Sequence, residues 1–448
     1  MKAAPKSPRL RGSPPRRTAI ALFLLCLACY LANGRTTPFE SGGDTVPNRL
    51  LPFSILAFHT LTLDPFAGDL AVRGGYRWYA VERRGHLISF YPLGSAFLAL
   101  PLYLPAWAVL AASGHGDATN LFLASVWMEK LAASLQAALT VAIFYLVTRR
   151  LIPPRPAFWT ALAFGLGTSM WATVSQNLWQ HGAVALGLTA GIWFLTWPGR
   201  PAWSPALAGL ALGLGVASRP SAVLFWAAGL GALLLRPEPW RERLRSAAWY
   251  TASGIPLVLF SPLYNLYWYG SLFGGYHDAA GNIHLMSYAA LAAPGLLVSP
   301  NRGLFVFTPI ALAGAVGLIR AFRRFREEPL LPLLGLAAAA HFLLIASYPE
   351  WAGGWSFGPR YLTDMLPVLG LAGGLELPHL PRRIRPLLSA ALVWSILAQW
   401  NGAFCYPASR WAPLTRGPLE KAAWDWRRFE LWEDFQAWRR GGPLAAPL

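Results

Sequence analysis

Apolar stretches fill most of the chain between residues 18 and 404, and short polar connections separate them. A helix that crosses a membrane needs about 20 apolar residues. Eleven stretches approach that length and predict an all-α polytopic membrane protein with about eleven transmembrane helices: 18–34, 121–147, 156–174, 182–197, 205–218, 221–235, 246–266, 303–319, 330–347, 361–378 and 386–404.

Arginines concentrate in every second connection. Such alternation is typical of cytoplasmic loops, so the basic tail 1–17 is predicted to be cytoplasmic, ahead of an uncleaved signal-anchor helix. The clusters are Arg149, Arg150 and Arg155; Arg236, Arg241, Arg243 and Arg245; Arg320, Arg323, Arg324 and Arg326; and Arg382, Arg383 and Arg385. The other connections then face outward: 35–90, 175–182, 267–290, 299–303 and 348–360.

The stretch 90–112 is a further apolar segment, but it contains Pro92, Pro101 and Pro105, which interrupt intrahelical hydrogen bonding. The arginine cluster that follows must lie in the cytoplasm, so only one of 90–112 and 121–147 can cross. We therefore predict that 90–112 is a re-entrant or interfacial helix and that 121–147 is the second crossing.

Composition supports this class of protein. The chain is 55% hydrophobic and 13% charged, unlike a soluble globular protein. The formal net charge of +18 lies mainly in arginine clusters at helix ends, so nucleic acid is not an expected partner. The transmembrane domain is predicted over 18–404, with juxtamembrane helices in the outer loop 35–90, and a Trp-rich interfacial tail over 405–448.

Acidic residues of the first outer loop are candidates for a general base. Asp44 lies in GGDTVPNRLLPFSIL, soon after the first predicted crossing, and Asp64 and Asp69 follow further on. A carboxylate at the membrane surface can take a proton from an acceptor hydroxyl. The alternative is an ordinary solvated loop acid, and Asp64 or Asp69 could replace Asp44 in this role.

Three arginines interrupt the outer loops, which are otherwise poor in basic residues. Arg360 follows a glycine-rich stretch, Arg302 lies in SPNRG, and Arg219 lies in SRPS. A guanidinium at headgroup level can bind a phosphate through paired hydrogen bonds and stabilise a leaving group. The alternatives are snorkelling to local lipid and turn packing.

Polar and aromatic residues in the same loops are candidates for substrate binding. Gln180 and His181 could bind an acceptor hydroxyl or help hold a metal ion, although no His-rich ligand spacing supports a metal site. The rings could contact a sugar, or they could form the aromatic belt of a membrane protein. These candidates are Tyr276, His277, Trp351 and Trp355.

Six motifs together resemble the GT-C glycosyltransferases, the superfamily of protein O-mannosyltransferases and lipid A aminoarabinose transferases. They occur in this order over roughly 17–404: GGDTVPNRLLPFSIL, FYPLGSAFLALPLY, GTSMWATVSQNLWQHG, SRPSAVLF, SPNRGLFVFTPI and WAGGWSFGPRYL. The resemblance implies that Asp44 corresponds to the catalytic acid of the first outer loop. Thr45 follows Asp44, so the paired Asp-Glu of the mannosyltransferases is lacking.

The resemblance implies a bacterial inner-membrane enzyme whose active site faces the periplasm or exterior. It would move a sugar from a polyprenyl-phosphate donor to an envelope lipid, glycan or protein, with inversion. No cofactor is firmly expected, although a divalent metal is possible. The alternatives are a transporter or flippase of lipid-linked saccharides and a non-catalytic protein of an envelope complex.

Overall fold

Helices dominate the computed structural model, which describes residues 15–34, 43–72, 78–199, 201–276, 289–354, 356–406 and 419–441. The first half contains helices α1 (Pro15–Leu31), α2 (Val46–Phe58), α3 (Ala67–Val72), α4 (Gly94–Ala112), α5 (Ala118–Leu151), α6 (Pro154–Leu166), α7 (Gln180–Leu195), α8 (Ser204–Ser218) and α9 (Val223–Leu235). The second half contains α10 (Trp240–Tyr269), α11 (Ala289–Val298), α12 (Leu304–Phe307), α13 (Ala311–Ala321), α14 (Leu330–Ala346), α15 (Leu366–Glu376), α16 (Arg385–Phe404), α17 (Leu419–Ala423) and α18 (Glu430–Arg439). The prediction of an all-α architecture is confirmed.

Each of the eleven predicted crossings contains helix, but most of these helices are short. Within the described residues, three helices are long and apolar enough to cross a membrane: Gly94–Ala112, Ala118–Leu151 and Arg382–Phe404. The predicted crossing 303–319 is split into α12 and α13 next to Pro309, and 361–378 begins with the 3-10 turn Arg360–Met365. By length and composition, the described helices therefore do not supply the eleven predicted membrane spans.

Helix α4 corrects one expectation. Pro101 and Pro105 lie inside a continuous helix, so the prolines do not interrupt it, and it is itself one of the three long apolar helices. Both of its ends nevertheless lie beside the first outer loop. Tyr91, just before α4, donates to Asp44, and Thr119, just after it, donates to Asp69 over 3.4 Å. That α4 returns to the side it left stays a prediction.

A small hairpin in the first outer loop was not predicted. Strands β1 (Ala80–Arg83) and β2 (His86–Ser89) pair antiparallel, with Arg83 opposite His86. The two turn residues, Arg84 and Gly85, have φ angles of 53° and 77°, as a two-residue hairpin turn requires. The hairpin ends next to Asp64, whose carboxylate accepts from the Leu87 amide at 2.6 Å.

Helix α5 holds the outer loop against the transmembrane domain. Its 34 residues extend about 51 Å, which exceeds the roughly 30 Å of a bilayer core. The first part of α5 therefore continues alongside α2, where Glu129 pairs with Arg49 at 3.6 Å, both side chains being buried. Glu129 also accepts from the Leu178 amide, which ties the connection before α7 to the same point.

Small residues let the helices approach closely. A Cβ added at Gly209 of α8 would collide with the Tyr250 carbonyl of α10, and one at Gly314 of α13 would collide with the Leu369 carbonyl of α15. Close backbone approach at small residues is the usual way in which membrane helices pack. The tight bundle that results supports the loops carrying the site.

Candidate functional site

Asp44 lies in the 3-10 turn Gly43–Thr45, immediately before α2. Its Oδ1 accepts hydrogen bonds from the Tyr91 hydroxyl at 2.7 Å and from Trp78 Nε1 at 3.0 Å. Gly43 allows this arrangement, because any Cβ at that position would collide with the Trp78 ring. Asp44 is therefore held in one orientation by the hairpin side of the loop.

Arg360 reaches the other oxygen of Asp44. Its Nη2 lies 2.9 Å from Asp44 Oδ2, and the two side chains are 9% and 25% exposed. The guanidinium carbon lies 4.5 Å from the ring centroid of Trp179 and 5.1 Å from that of Tyr361. Two aromatic faces and one carboxylate thus fix the guanidinium.

The ion pair shifts both pKa values. Burial acts to raise the pKa of Asp44, but the Arg360 cation and the bonds from Tyr91 and Trp78 outweigh it and lower that pKa below 3.8. Burial acts to lower the pKa of Arg360, and the charge of Asp44 more than offsets this and raises it. Asp44 is therefore an oriented carboxylate at neutral pH.

Glycines shape the loop that delivers Arg360. Gly353, Gly354 and Gly358 have φ angles of 81°, 61° and 56°, which lie in the left-handed region that glycine adopts without strain. Arg360 begins a 3-10 turn after this loop, and α15 follows. The glycine-rich composition noted in the sequence is therefore required by the path of the backbone before Arg360.

A second cluster forms around Asp364, one turn further along. Asp364 Oδ1 lies 2.7 Å from His181 Nδ1, and Oδ2 lies 2.9 Å from Arg219 Nε and 3.6 Å from His341 Nε2. The carboxylate is completely buried. Three residues from α7, α8–α9 and α14 thus meet on one acid.

Sequence analysis missed Asp364. It lies inside the predicted crossing 361–378, and an ionisable residue within a membrane segment is by default a candidate functional residue. That rule could have identified it. The sequence could not show that Asp364 pairs with His181 and Arg219, which were predicted as substrate-binding and phosphate-binding residues.

Tyr361 connects the two clusters. The Arg219 guanidinium carbon lies 5.4 Å from its ring centroid, and Arg360 lies on the same ring. The Tyr361 carbonyl lies 3.0 Å from His341 Nε2. Two acid–cation pairs, Asp44–Arg360 and Arg219–Asp364, therefore meet on the ring of Tyr361.

Three buried polar groups of the predicted site residues have no hydrogen-bond partner among the described residues. They are Arg360 Nε, Gln180 Nε2 and Trp351 Nε1. Leaving a buried donor unpaired costs about 1–3 kcal/mol. Arg360 Nε and Gln180 Nε2 are suited to a ligand, because Gln180 follows Trp179 in the chain and the Trp179 ring centroid lies 4.5 Å from the Arg360 guanidinium carbon.

Other predicted residues lie elsewhere. Arg302 is buried, and its guanidinium donates to Glu430 and to the carbonyls of Ala352 and Gly354. Trp351 is buried against Gly295 of α11. Asp64 accepts from His86, Leu87 and Thr62 within its own loop. Tyr276 ends the 3-10 turn Gly274–Tyr276, while His277 and Trp355 are outside the described residues.

Within the described part of the chain, no three or more His, Cys, Asp or Glu side chains are placed to hold a metal ion.

Residues 117–268, from α5 through nearly all of α10, match the family model of dolichyl-phosphate-mannose-protein mannosyltransferases. The resemblance to GT-C glycosyltransferases found in the sequence is confirmed by this match. Asp44 and the loop of Arg360 lie outside the matched residues. No curated protein sequence matches the chain.

Three solved structures are similar to this chain at low sequence identity. ArnT from Cupriavidus metallidurans in the apo state is 15% identical, with a TM-score of 0.45, covering 93% of this chain and 75% of that one. The apo Archaeoglobus fulgidus oligosaccharyltransferase is 14% identical, with a TM-score of 0.48 and coverages of 95% and 56%. The oligosaccharyltransferase AglB of the same organism, in complex with an inhibitory peptide and a dolichol-phosphate, is 12% identical, with a TM-score of 0.46 and coverages of 96% and 64%.

Proposed function

We propose that this protein is a membrane glycosyltransferase that transfers a sugar from a polyprenyl-phosphate carrier to a hydroxyl-bearing envelope acceptor outside the inner membrane. The observation that carries the proposal is the ion pair between Asp44 and Arg360, joined through Tyr361 to Arg219 and Asp364. The matched family is named for a lipid-phosphate-linked sugar donor, which is the chemistry that this pair of arginines suits.

Arg360 and Arg219 are the proposed ligands of the donor phosphate. Both guanidinium groups contact the Tyr361 ring, so a phosphate beside that ring would meet two cations. Arg360 Nε is available for a further bond, and a guanidinium with two adjacent donors binds a phosphate in bidentate fashion. Arg302 is not part of this proposal, because its side chain is enclosed by protein groups.

Asp44 is the proposed general base. The acceptor oxygen attacks the anomeric carbon, the bond from that carbon to the phosphate oxygen breaks, and the carrier leaves as polyprenyl phosphate while the acceptor proton passes to Asp44. Displacement from the face opposite the phosphate gives inversion. Arg360 stabilises the charge that grows on the leaving phosphate.

Donor binding would also tune the base. In the structure Arg360 pairs with Asp44 and lowers the pKa of that carboxyl, which makes Asp44 a weak base. A bound phosphate shares the Arg360 charge, so the basicity of Asp44 increases when the donor is present. Proton removal is thereby favoured only in the loaded enzyme.

His181 is the proposed contact for the acceptor hydroxyl. A neutral imidazole that donates from Nδ1 to Asp364 leaves Nε2 as an acceptor. Gln180, the preceding residue, offers its unpaired Nε2 as a donor. Asp364 thus fixes the tautomer of His181 in the manner in which a buried carboxylate orients a catalytic imidazole.

The test is transfer by the full-length protein in nanodiscs that contain a polyprenyl-phosphate sugar and an acceptor extract. Labelled sugar should move to the acceptor and free polyprenyl phosphate should accumulate. Arg360→Ala should strongly reduce both signals at a donor concentration near the wild-type KM. Movement of the intact donor between leaflets without release of polyprenyl phosphate would instead establish the transporter alternative and refute the transferase.

A further inference from the structure

A buried carboxylate comes from the C-terminal part of the chain, which was predicted only to lie at the interface. Glu430 begins α18, and its side chain is completely buried. Its Oε2 lies 2.8 Å from Arg302 Nη1 and accepts the Gly358 amide at 3.4 Å. Burying an acid is costly unless a cation and hydrogen bonds compensate.

Asn301 fastens the same segment to the transmembrane domain. Its side-chain amide donates to the carbonyls of Ala422, Asp425 and Arg428 at 2.8, 3.2 and 3.1 Å. Its Oδ1 accepts the Glu430 amide at 2.8 Å. One side chain therefore satisfies four backbone groups of the C-terminal segment, which sets the position of Glu430.

Arg302 and Glu430 together hold the glycine-rich loop near both of its ends. Arg302 Nε donates to the Ala352 carbonyl at 2.7 Å, and Nη2 donates to the Gly354 carbonyl at 3.3 Å. Glu430 binds the Gly358 amide, two residues before Arg360. The left-handed glycines make this stretch free to adopt other conformations when it is not held.

Apolar side chains also pack in this region. Phe357 packs edge-on against Phe307 at 5.2 Å and against Tyr406 at 5.7 Å between ring centroids. Leu431 belongs to the same cluster. These contacts pack α18 against the loop. The directional restraint on the loop from other segments comes from Arg302 and Glu430, and within the loop Ser356 donates to the Gly353 carbonyl.

We propose that Glu430 is a positioning residue that, through Arg302 and the Gly358 amide, sets residues 352–354 and 356–360 so that Arg360 is presented to the donor phosphate. Glu430 is then the residue of the C-terminal helix that takes part in donor binding. The expected change in donor KM rests on the proposed function. The expected change in the loop rests on the contacts above.

The test compares three variants of the full chain in nanodiscs. Glu430→Ala removes the carboxylate, Glu430→Gln keeps an oxygen that can accept from Gly358 and Arg302, and Glu433→Gln is the control. Glu433 lies on the same helix and pairs with Arg428, with both side chains about one-third exposed. It makes no described contact with the loop.

Two quantities are measured: amide hydrogen exchange of peptides that cover 356–365, and the KM values for donor and acceptor. Glu430→Ala should raise exchange in that segment and raise the donor KM at least tenfold, with the acceptor KM within twofold of wild type. Glu430→Gln should have a donor KM close to that of the wild type. Glu433→Gln should match the wild type in both measured quantities.

Two outcomes would overturn the proposal. One is unchanged exchange at 356–365 in both Glu430 variants; the other is an equal rise of donor and acceptor KM. If Glu430→Ala does not fold, hydrogen exchange of Glu430→Gln decides, and exchange at 356–365 equal to that of the wild type would then overturn the proposal. A wild-type protein without transferase activity would refute the proposed function alone, because the exchange comparison does not depend on turnover.

Discussion

The guanidinium of Arg360 lies 2.9 Å from the carboxylate of Asp44, although these residues come from opposite ends of the chain. The contact joins the loop before α2 to the loop before α15, and so brings the proposed base next to the proposed phosphate ligand. One-step displacement requires the acceptor to enter on the face of the sugar opposite the phosphate and within reach of Asp44, so we expect the sugar to lie between the Asp44 carboxylate and the phosphate. His181, held by Asp364, provides a polar group for that acceptor.

Replacing Asp44 by Asn should lower kcat by about 10²–10⁴-fold, because the amide keeps the size of the side chain but cannot accept a proton. The donor KM should change little, since the amide oxygen can still accept from Arg360. Asp69→Asn is the matched control in the same loop and should retain activity. Near-normal turnover of Asp44→Asn would remove Asp44 as the base, and Asp64 would then be tested.

Replacing Arg360 by Ala should weaken donor binding by about 1.5–3 kcal/mol, the value of a hydrogen bond to a charged group. Arg360→Lys should recover only part of this, because an ammonium group cannot form the planar paired contact. Donor affinity is measured by titration in nanodiscs. Equal affinities for the wild type and Arg360→Ala would exclude Arg360 as a phosphate ligand.

The same substitution should change the dependence on pH. In the wild type the pKa of Asp44 lies below 3.8, so this carboxyl adds stability that is present above its unfolded value of about 3.9 and is lost as the pH falls through the folded value. Without Arg360, burial is the dominant influence and raises that pKa. The acid limb of kcat/KM in Arg360→Ala should therefore move to higher pH, while Arg360→Lys should stay close to the wild type. A profile of Arg360→Ala identical to the wild type would show that Arg360 does not control Asp44.

Asp364→Asn and Arg219→Lys should be strongly non-additive, because both act on one cluster. We expect each single variant to lose about tenfold in kcat/KM and the double variant to lose far less than the product, with a coupling energy of about 1 kcal/mol or more. Combining Asp364→Asn with Glu433→Gln, a residue that pairs with Arg428 and not with the cluster, should be additive. Simple additivity within the cluster would mean that Arg219 and Asp364 act separately.

Topology can be tested at exposed positions on both predicted sides. In a background with Cys26, Cys29 and Cys405 replaced, cysteines at Glu82, His115 and Glu350 should react with an impermeant thiol reagent in intact cells. A cysteine at Arg324 should react only after lysis. All four positions are exposed in the structure, so burial does not confuse the result. Protection at position 115 would mean that α4 crosses the membrane.

Much of the site could be predicted because its signals are local in the sequence. Four polar or charged residues are unusual in so apolar a chain: Asp44, Arg219, His181 and Arg360. The structure brings them into two connected clusters. Arg302 shows the same departure, but its guanidinium is enclosed by the loop carbonyls and Glu430. An unusual arginine indicates that its charge must be compensated, and it does not indicate by which group.

The sequence by itself determined the helical architecture and predicted which loops face outward, because hydrophobic length and charge bias depend only on residues near one another in the chain. It did not determine that α4 remains continuous through its prolines, since packing against α2 and α5 supports that helix. Only the tertiary structure decided the partners: Asp364 for His181 and Arg219, and Glu430 for Arg302. Those pairs join residues that are distant in the chain, and their energies arise from burial and charge that exist only once the helices have packed.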